Sequence, residues 1–297
     1  MKHIKLLYLF LLISWSSLPL QAADYLLQSP NGKLTVEIET KGQLSYTLKH
    51  NSQTLLDKSP IGLLLEDKIL GEDIKISRIK RNSSVKEHIV SPHYRLPSFE
   101  VTYNELNLKF KGNYGIIFRA YNEGIAYRFY TTMKGPLIIK DEMVQMNFPK
   151  DYPTFMSYST MPTGEDQYAM AFQNLYTKSS IKGVDTNNIA FLPITIDCGN
   201  ELKMTLLESD LEDYPGMFIK GDGKNTSLQG TFAHYPSEIK NFPPRAMKRI
   251  TKRTDYIART TGERNYPWRI WAITEKDTEM PVNNLVYALA SPNRIGD

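Results

Sequence analysis

Residues 114–131 read YGIIFRAYNEGIAYRFYT. Two runs rich in aromatic and β-branched residues, Tyr114–Tyr121 and Ile125–Thr131, flank Asn122-Glu123-Gly124. Such side chains fit a pleated, half-buried surface, and Asn and Gly supply the sharp reversal between the runs. The stretch is expected to be a β-hairpin. The same grammar extends in both directions.

Upstream, Glu100–Lys111 alternates through Val101, Tyr103, Leu106, Leu108 and Phe110. Leu34, Val36 and Ile38 alternate with polar residues. After the turn Lys41-Gly42-Gln43, Leu44, Tyr46 and Leu48 do so again, which predicts a second hairpin. Tyr25–Leu27 and Ile61–Leu65 are further strands, and Ile74–Ile79 and Glu87–Val90 are weak ones. Downstream, Ile189–Asp197, Leu202–Leu207, Met217–Ile219, Ser227–Tyr235, Ile250–Ala258 and Trp268–Thr274 read as strands. Leu285–Leu289 is a helical turn or a strand. Between Pro149 and Val184 the period fades, and a long loop or lid is expected there. No stretch of a dozen residues has a helical period. Strands at this spacing imply an all-β sandwich or barrel.

The chain has 297 residues and a formal net charge of +4. Residues 1–23 have the form of an export signal: Lys2 and Lys5, then the apolar run Leu6–Ile13, then Ala22-Ala23. Its removal takes away two lysines and no acid, leaving +2 on residues 24–297, which argues against a nucleic-acid partner. No membrane span is expected after that removal. Cys198 is the only cysteine, so no intramolecular disulfide forms, and it reads as a small filler residue. No dinucleotide, phosphate-loop, nucleophile-elbow or zinc-protease motif occurs. His88 and His93 read as solvated, and the basic cluster Arg245, Lys248, Arg249, Lys252 and Arg253 as a solvated strand face.

The stretch TLLESDLEDYPGMFI, 205–219, places Glu208, Asp210, Glu212 and Asp213 at a strand end before Tyr214-Pro215-Gly216. Four carboxylates there could bind a hard cation or sugar hydroxyls. The plainer expectation is a solvated acidic turn.

Several blocks resemble glycoside hydrolase family 97: SPNGKLTVEI (29–38), NEGIAYRF (122–129), LESDLEDYPGM (207–217), DYIARTTGERNYPWR (255–269) and the closing LVYALASPNRIGD (285–297). They follow the family's order along the chain. The resemblance implies an exported α-glucosidase or α-galactosidase architecture of Bacteroides-type polysaccharide users, in the periplasm or at the outer membrane of a Gram-negative cell. It implies that residues 24–297 form the family's N-terminal domain, a large β-sandwich (super-sandwich) of antiparallel strands. The catalytic carboxylates would lie on a (β/α)₈ barrel, for which this chain offers no βαβ alternation. No catalytic residue is therefore assigned, and the chain alone is expected to be inactive. Its partners are that barrel, even one carried on a separate chain, and through it an α-linked glucoside or galactoside.

The family's N-terminal domain also lends one glutamate to a Ca²⁺ ion. In the segment Phe172-Gln173-Asn174-Leu175-Tyr176, Gln173 stands at that position and brings an oxygen but no charge. Weak or no calcium binding by the chain alone is expected, unless a shifted alignment brings in Glu165 or Asp166. Tyr168, Phe172, Tyr176 and Tyr214 are expected to form an apolar patch on the barrel-facing side. Two further readings remain open: a stand-alone exported carbohydrate-binding sandwich, and a self-sufficient hydrolase using carboxylates within 165–213.

Overall fold

The computed structural model describes residues 24–91, 94–159, 166–169, 172–243, 247–292 and 294. The leader, His93, Glu165 and Arg245 lie outside them. The N-terminal strands are β1 (Tyr25–Gln28), β2 (Leu34–Glu39), β3 (Ser45–His50), β4 (Gln53–Leu65) and the short β5 (Ile69–Leu70). Next come β6 (Ile76–Val90), β7 (Ser98–Phe110), β8 (Tyr114–Tyr121) and β9 (Gly124–Asn147). The second half holds β10 (Pro153–Tyr158), β11 (Thr177–Ser180), β12 (Ala190–Asp197), β13 (Lys203–Ser209), β14 (Met217–Gly221) and β15 (Ser227–Phe232). It closes with β16 (Pro236–Phe242), β17 (Met247–Arg253), β18 (Ala258–Asn265), β19 (Trp268–Thr274) and the one-turn helix α1 (Leu285–Ala288). All the strand pairings are antiparallel, and the domain is an all-β sandwich.

Strand β9 organises the rest. Its first third pairs with β8, from Tyr121↔Gly124 to Tyr114↔Thr131. Its other edge meets β19 and β18, and its last third pairs with β4 and β15. One strand of 24 residues thus passes from one layer to the other. The bend falls at Gly135, whose φ of +74° suits glycine, opposite a register shift in β18 between Thr261 and Glu263. A side chain at Gly262 would collide with the carbonyl oxygens of Met133 and Gly135, so the two backbones touch there.

From β9, the order β19, β13, β12, β14 and β15 returns to β9 and closes a ring. The layer β1–β4 faces β7–β8, with Tyr46 packed on Phe118 and Tyr127 at ring separations of 6.0 and 5.5 Å. The core is filled from alternate positions: Val36, Ile38, Leu48, Leu108, Ile116, Phe118, Ile194 and Trp271 are all essentially inaccessible. Burying each such side chain contributes roughly 1.5–3 kcal/mol. The Trp271 indole N–H donates to the Tyr46 hydroxyl at 3.0 Å, so its polar atom is satisfied inside. A second apolar cluster sits where α1 lays Leu285, Ala288 and its neighbour Leu289 on Trp268, Ile270 and Tyr121.

The hairpin β8–β9 forms as expected, as do β2–β3, β7, β12, β13, β14 and β19. Several expectations are corrected. The two weak strands at 74–90 are one strand, β6. Its mostly exposed, polar sequence belongs to a sheet edge, which hides the period. The span Ile250–Ala258 is not one strand: β17 ends at Arg253, and the chain turns with Ile257 buried before β18. Residues 149–184 are not a plain loop, because β10 and β11 pair within them. Of the two readings of Leu285–Leu289, the helical turn is the one that forms.

Candidate functional site: a stapled strap beside a polar cleft

The segment between β10 and β11 crosses the outside of β12, β14 and β15 as a strap, described at 166–169 and 172–176. Hydrogen bonds staple its described parts. The Ser159 hydroxyl donates to the Gln167 carbonyl at 2.6 Å, and the Ile189 N–H donates to the Gln167 side-chain oxygen at 2.9 Å. Tyr168 and Thr231 share a hydroxyl–hydroxyl bond of 2.8 Å. The Ser157 hydroxyl donates to the Asn174 carbonyl at 2.7 Å, and the Tyr176 hydroxyl to the Pro193 carbonyl at 3.0 Å. Aromatic contacts do the same: Tyr168 stands edge-on to Phe218, and Phe172 leans on Phe191 and Phe218.

Held from beneath, the strap presents its remaining side chains to solvent. Leu175 is 91 % exposed, Tyr176 50 % and Phe172 42 %. Of the residues expected on the apolar patch, Phe172 and Tyr176 are thus exposed. Leu175 joins them, and Tyr168 is only half-exposed. Tyr214 is corrected: it is buried, edge-on to Phe232 and Tyr266, and takes no part.

Beside the strap lies a cleft of about 680 Å³, walled by Asp141, Asp166, Tyr168, His234 and Arg253 with Phe232 beneath. Asp166 is committed to structure. One oxygen accepts from Arg253 Nε at 2.8 Å and Nη2 at 2.6 Å, and the other accepts the Tyr168 N–H at 3.1 Å. Burial pushes the Asp141 carboxyl above the usual aspartate range, against the Glu142 N–H and His234, which favour its charge.

The acidic turn is solvated only in part: Glu212 and Asp213 are exposed, as expected, whereas Glu208 and Asp210 are drawn inward onto arginines. Arg269 is almost wholly buried and grips Glu142 with two bonds, Nε to Oε1 at 2.9 Å and Nη2 to Oε2 at 2.7 Å. Its Nη1 donates to Glu208 at 2.6 Å, and Glu208 also accepts the Met217 N–H. Burial lifts the Glu208 pKa above the ordinary glutamate value, opposed by Arg269 and reinforced by the neighbouring charge of Glu142. Arg128 donates to Asp210 at 2.8 Å and lies over the Trp268 ring, while Arg294 pairs with Glu212. The arginine partners, 60 and more residues away for Glu208 and Asp210, carry no local signal that would have revealed this.

Gln173 sits on the exposed strap. Among the described residues no group of three or more His, Cys, Asp or Glu is placed to hold a metal ion. With Asp166 tied to Arg253 and Glu208 to Arg269, the described residues do not fit a self-contained calcium shell around Gln173. Cys198 is buried, and its thiol is pushed up to about 12 by burial first and by Asp197, so it is inert as a nucleophile. His88 is exposed and pairs with Glu100 at 2.5 Å. The basic cluster lies on the β16–β17 ribbon, where Lys252 pairs with Glu238 and Arg253 with Asp166. No helix among the described residues is long and apolar enough to cross a membrane.

A sequence profile described as Glycosyl-hydrolase 97 N-terminal matches residues 27–292. The chain belongs to this family. A curated relative of the domain, a retaining alpha-galactosidase from Bacteroides thetaiotaomicron, is 35 % identical over 301 residues, spanning 99 % of this chain and 45 % of that protein. Two solved structures share the domain's fold. One is a glycoside hydrolase family 97 enzyme in complex with acarbose from Pseudoalteromonas sp. strain K8, with a TM-score of 0.73, 18 % identity, and coverage of 92 % of this chain and 39 % of that one. The other is a beta-arabinopyranosidase, with a TM-score of 0.69, 17 % identity, and coverage of 85 % and 40 %. The glycosyl-hydrolase 97 N-terminal domain thus makes up less than half the length of each protein it matches.

Proposed function

We propose that this domain is the carbohydrate-associated N-terminal part of an exported α-glycosidase, docking on a catalytic barrel through the strap and helping to wall its sugar pocket. The observation that carries the reading is the stapled strap, which holds Phe172, Leu175 and Tyr176 in water at the expense of apolar exposure. Exposed apolar side chains on a segment fixed from beneath suit a preformed interface. Its similarity to 45 % of a retaining alpha-galactosidase supports a barrel as the partner, whether on the same polypeptide or another. An α-galactoside or α-glucoside is then the substrate of the assembly. Any calcium there would take the Gln173 amide oxygen from the described residues of this chain, with charged ligands coming from the barrel. The leader at residues 1–23 supports delivery to the periplasm.

Calorimetry of the mature chain against the separately produced barrel of an alpha-galactosidase relative tests this. Saturable binding, weakened about tenfold or more by Leu175→Asp, is the expected result. Binding unchanged by Leu175→Asp and Tyr176→Ser would assign docking to another face.

A second reading rests on the cleft itself. Tyr168 and Phe232 supply aromatic surface, and Asp141 and His234 supply polar groups, as in a small carbohydrate-binding site. Binding of a neutral α-oligosaccharide by the chain alone, lost in Tyr168→Ala, would favour it.

A further inference from the structure

On the outer face of the β6–β7–β8–β9 layer, remote in sequence from the strap, lies a small cleft of about 210 Å³. Its walls are Arg78, Lys80, Lys109, Asn107 and Tyr130. Arg78 and Lys80 are two residues apart on β6 and so share a face. The register sets Arg78 opposite Lys109 and Lys80 opposite Asn107, which gathers three cations at one place. None of the three has a carboxylate or other side-chain partner among the described residues, unlike Lys33, Lys49, Arg119, Arg128, Arg253 or Arg269. Glu105, two residues before Asn107 on β7, is already engaged by Arg119 at 2.9 Å and by the Asn82 amide at 3.0 Å.

The floor is built for this shape. The Tyr130 hydroxyl reaches across β8 and donates to Asn107 Oδ1 at 2.9 Å. That bond fixes the amide so that its NH₂ remains as a donor. Tyr130 can reach Asn107 because the residue it crosses is Gly115, where any Cβ would collide with the tyrosine hydroxyl. The cleft therefore offers a guanidinium, two ammoniums and an amide, with no anionic acceptor.

We propose that this cleft binds an oxyanion substituent, a sulfate ester or phosphate, of a polysaccharide. A site made of donors selects a ligand made of acceptors, and charge-assisted bonds are the strong ones. Its volume is below the roughly 300–1,000 Å³ typical of whole-ligand pockets, so it suits a charged substituent rather than an oligosaccharide. The oxyanion chemistry stands on the cleft alone. The glycan source rests on the carbohydrate function proposed above. The site would hold anionic glycan on the domain independently of the strap.

Titration of the chain at low salt with dextran sulfate, neutral dextran and anionic phospholipid vesicles separates the cases. Dextran sulfate is expected to bind, neutral dextran and vesicles are not, and inorganic sulfate or phosphate should compete. Lys80→Gln with Lys109→Gln should weaken binding about tenfold. Lys248→Gln, an exposed cation on the β16–β17 ribbon, should change it less than about twofold. Gly115→Ala, with folding checked by its melt, should weaken it by displacing Tyr130. Equal losses in Lys248→Gln and the double variant would show diffuse charge attraction and overturn the site. Competition by inorganic oxyanions with vesicle binding but no dextran sulfate binding would keep the oxyanion site and overturn the glycan. Loss of strap docking in Leu175→Asp leaves this titration unaffected, so the two readings fail separately.

Discussion

The acidic turn at 208–213 and the strap at 166–176 make opposite use of their residues. The turn looks reactive in sequence, with four carboxylates in six residues. In the fold Glu208 and Asp210 are paired with the buried Arg269 and Arg128, so the root of the turn is internal bracing, while Glu212 meets Arg294 at the surface. The strap shows no strand or helix period in sequence, yet it carries apolar side chains to the surface on a hydrogen-bonded base. Charge density marks a site only when no partner has already taken the charge. Exposure of apolar groups held in place from beneath is the better sign of an interface.

The comparison breaks most readily at Arg269. Replacing it with Ala leaves Glu142 and Glu208 buried without a cation, and is expected to cost about 3–5 kcal/mol of folding stability in urea. A loss below about 1 kcal/mol would mean the turn is not bracing. By contrast, Leu175→Asp on the strap should change stability by no more than about 0.5 kcal/mol, since the residue is 91 % exposed. A large loss there would make the strap structural instead.

Glu208 gives a pH signature. Its folded pKa is raised above its unfolded value, so it favours the folded state at low pH, and that contribution is lost as pH rises from the ordinary glutamate value to the raised one. Glu208→Gln keeps the Arg269–Glu142 pair and should cost about 1 kcal/mol at neutral pH. It should also flatten the dependence of the melting temperature on pH just above about 4.3. An unchanged slope would show that Glu208 does not titrate there.

The smallest expected signal is hydrolysis. The chain alone should show no turnover of aryl α-galactosides or α-glucosides above a buffer blank. Asp166 in the cleft beside the strap is locked to Arg253, and Glu208 to Arg269, so neither is free as an acid or nucleophile. Turnover abolished by Asp141→Asn would establish a self-sufficient site in the cleft.

Legibility in the sequence followed burial. β2, with one face in the core, shows its alternation plainly, and β8 and β19, buried almost throughout, show apolar runs. Edge strand β6 hides it, because both faces are wet. The run Ile125–Thr131 shows only the start of β9; in the fold the strand continues through the bend at Gly135 between layers. Long-range ion pairs left no periodic trace, so the role of Glu208 stayed hidden. Gln173 is exposed on the strap, and its segment, Phe172–Tyr176, gave no sign of that.

The central claim, that the strap is the docking face, is tested most directly by hydrogen exchange of the chain with and without the barrel. Added protection confined to the strap and the neighbouring cleft, with 76–90 on the opposite layer unchanged, is the predicted result. Binding with protection centred on β6 and β7, and none at 172–176, would contradict it.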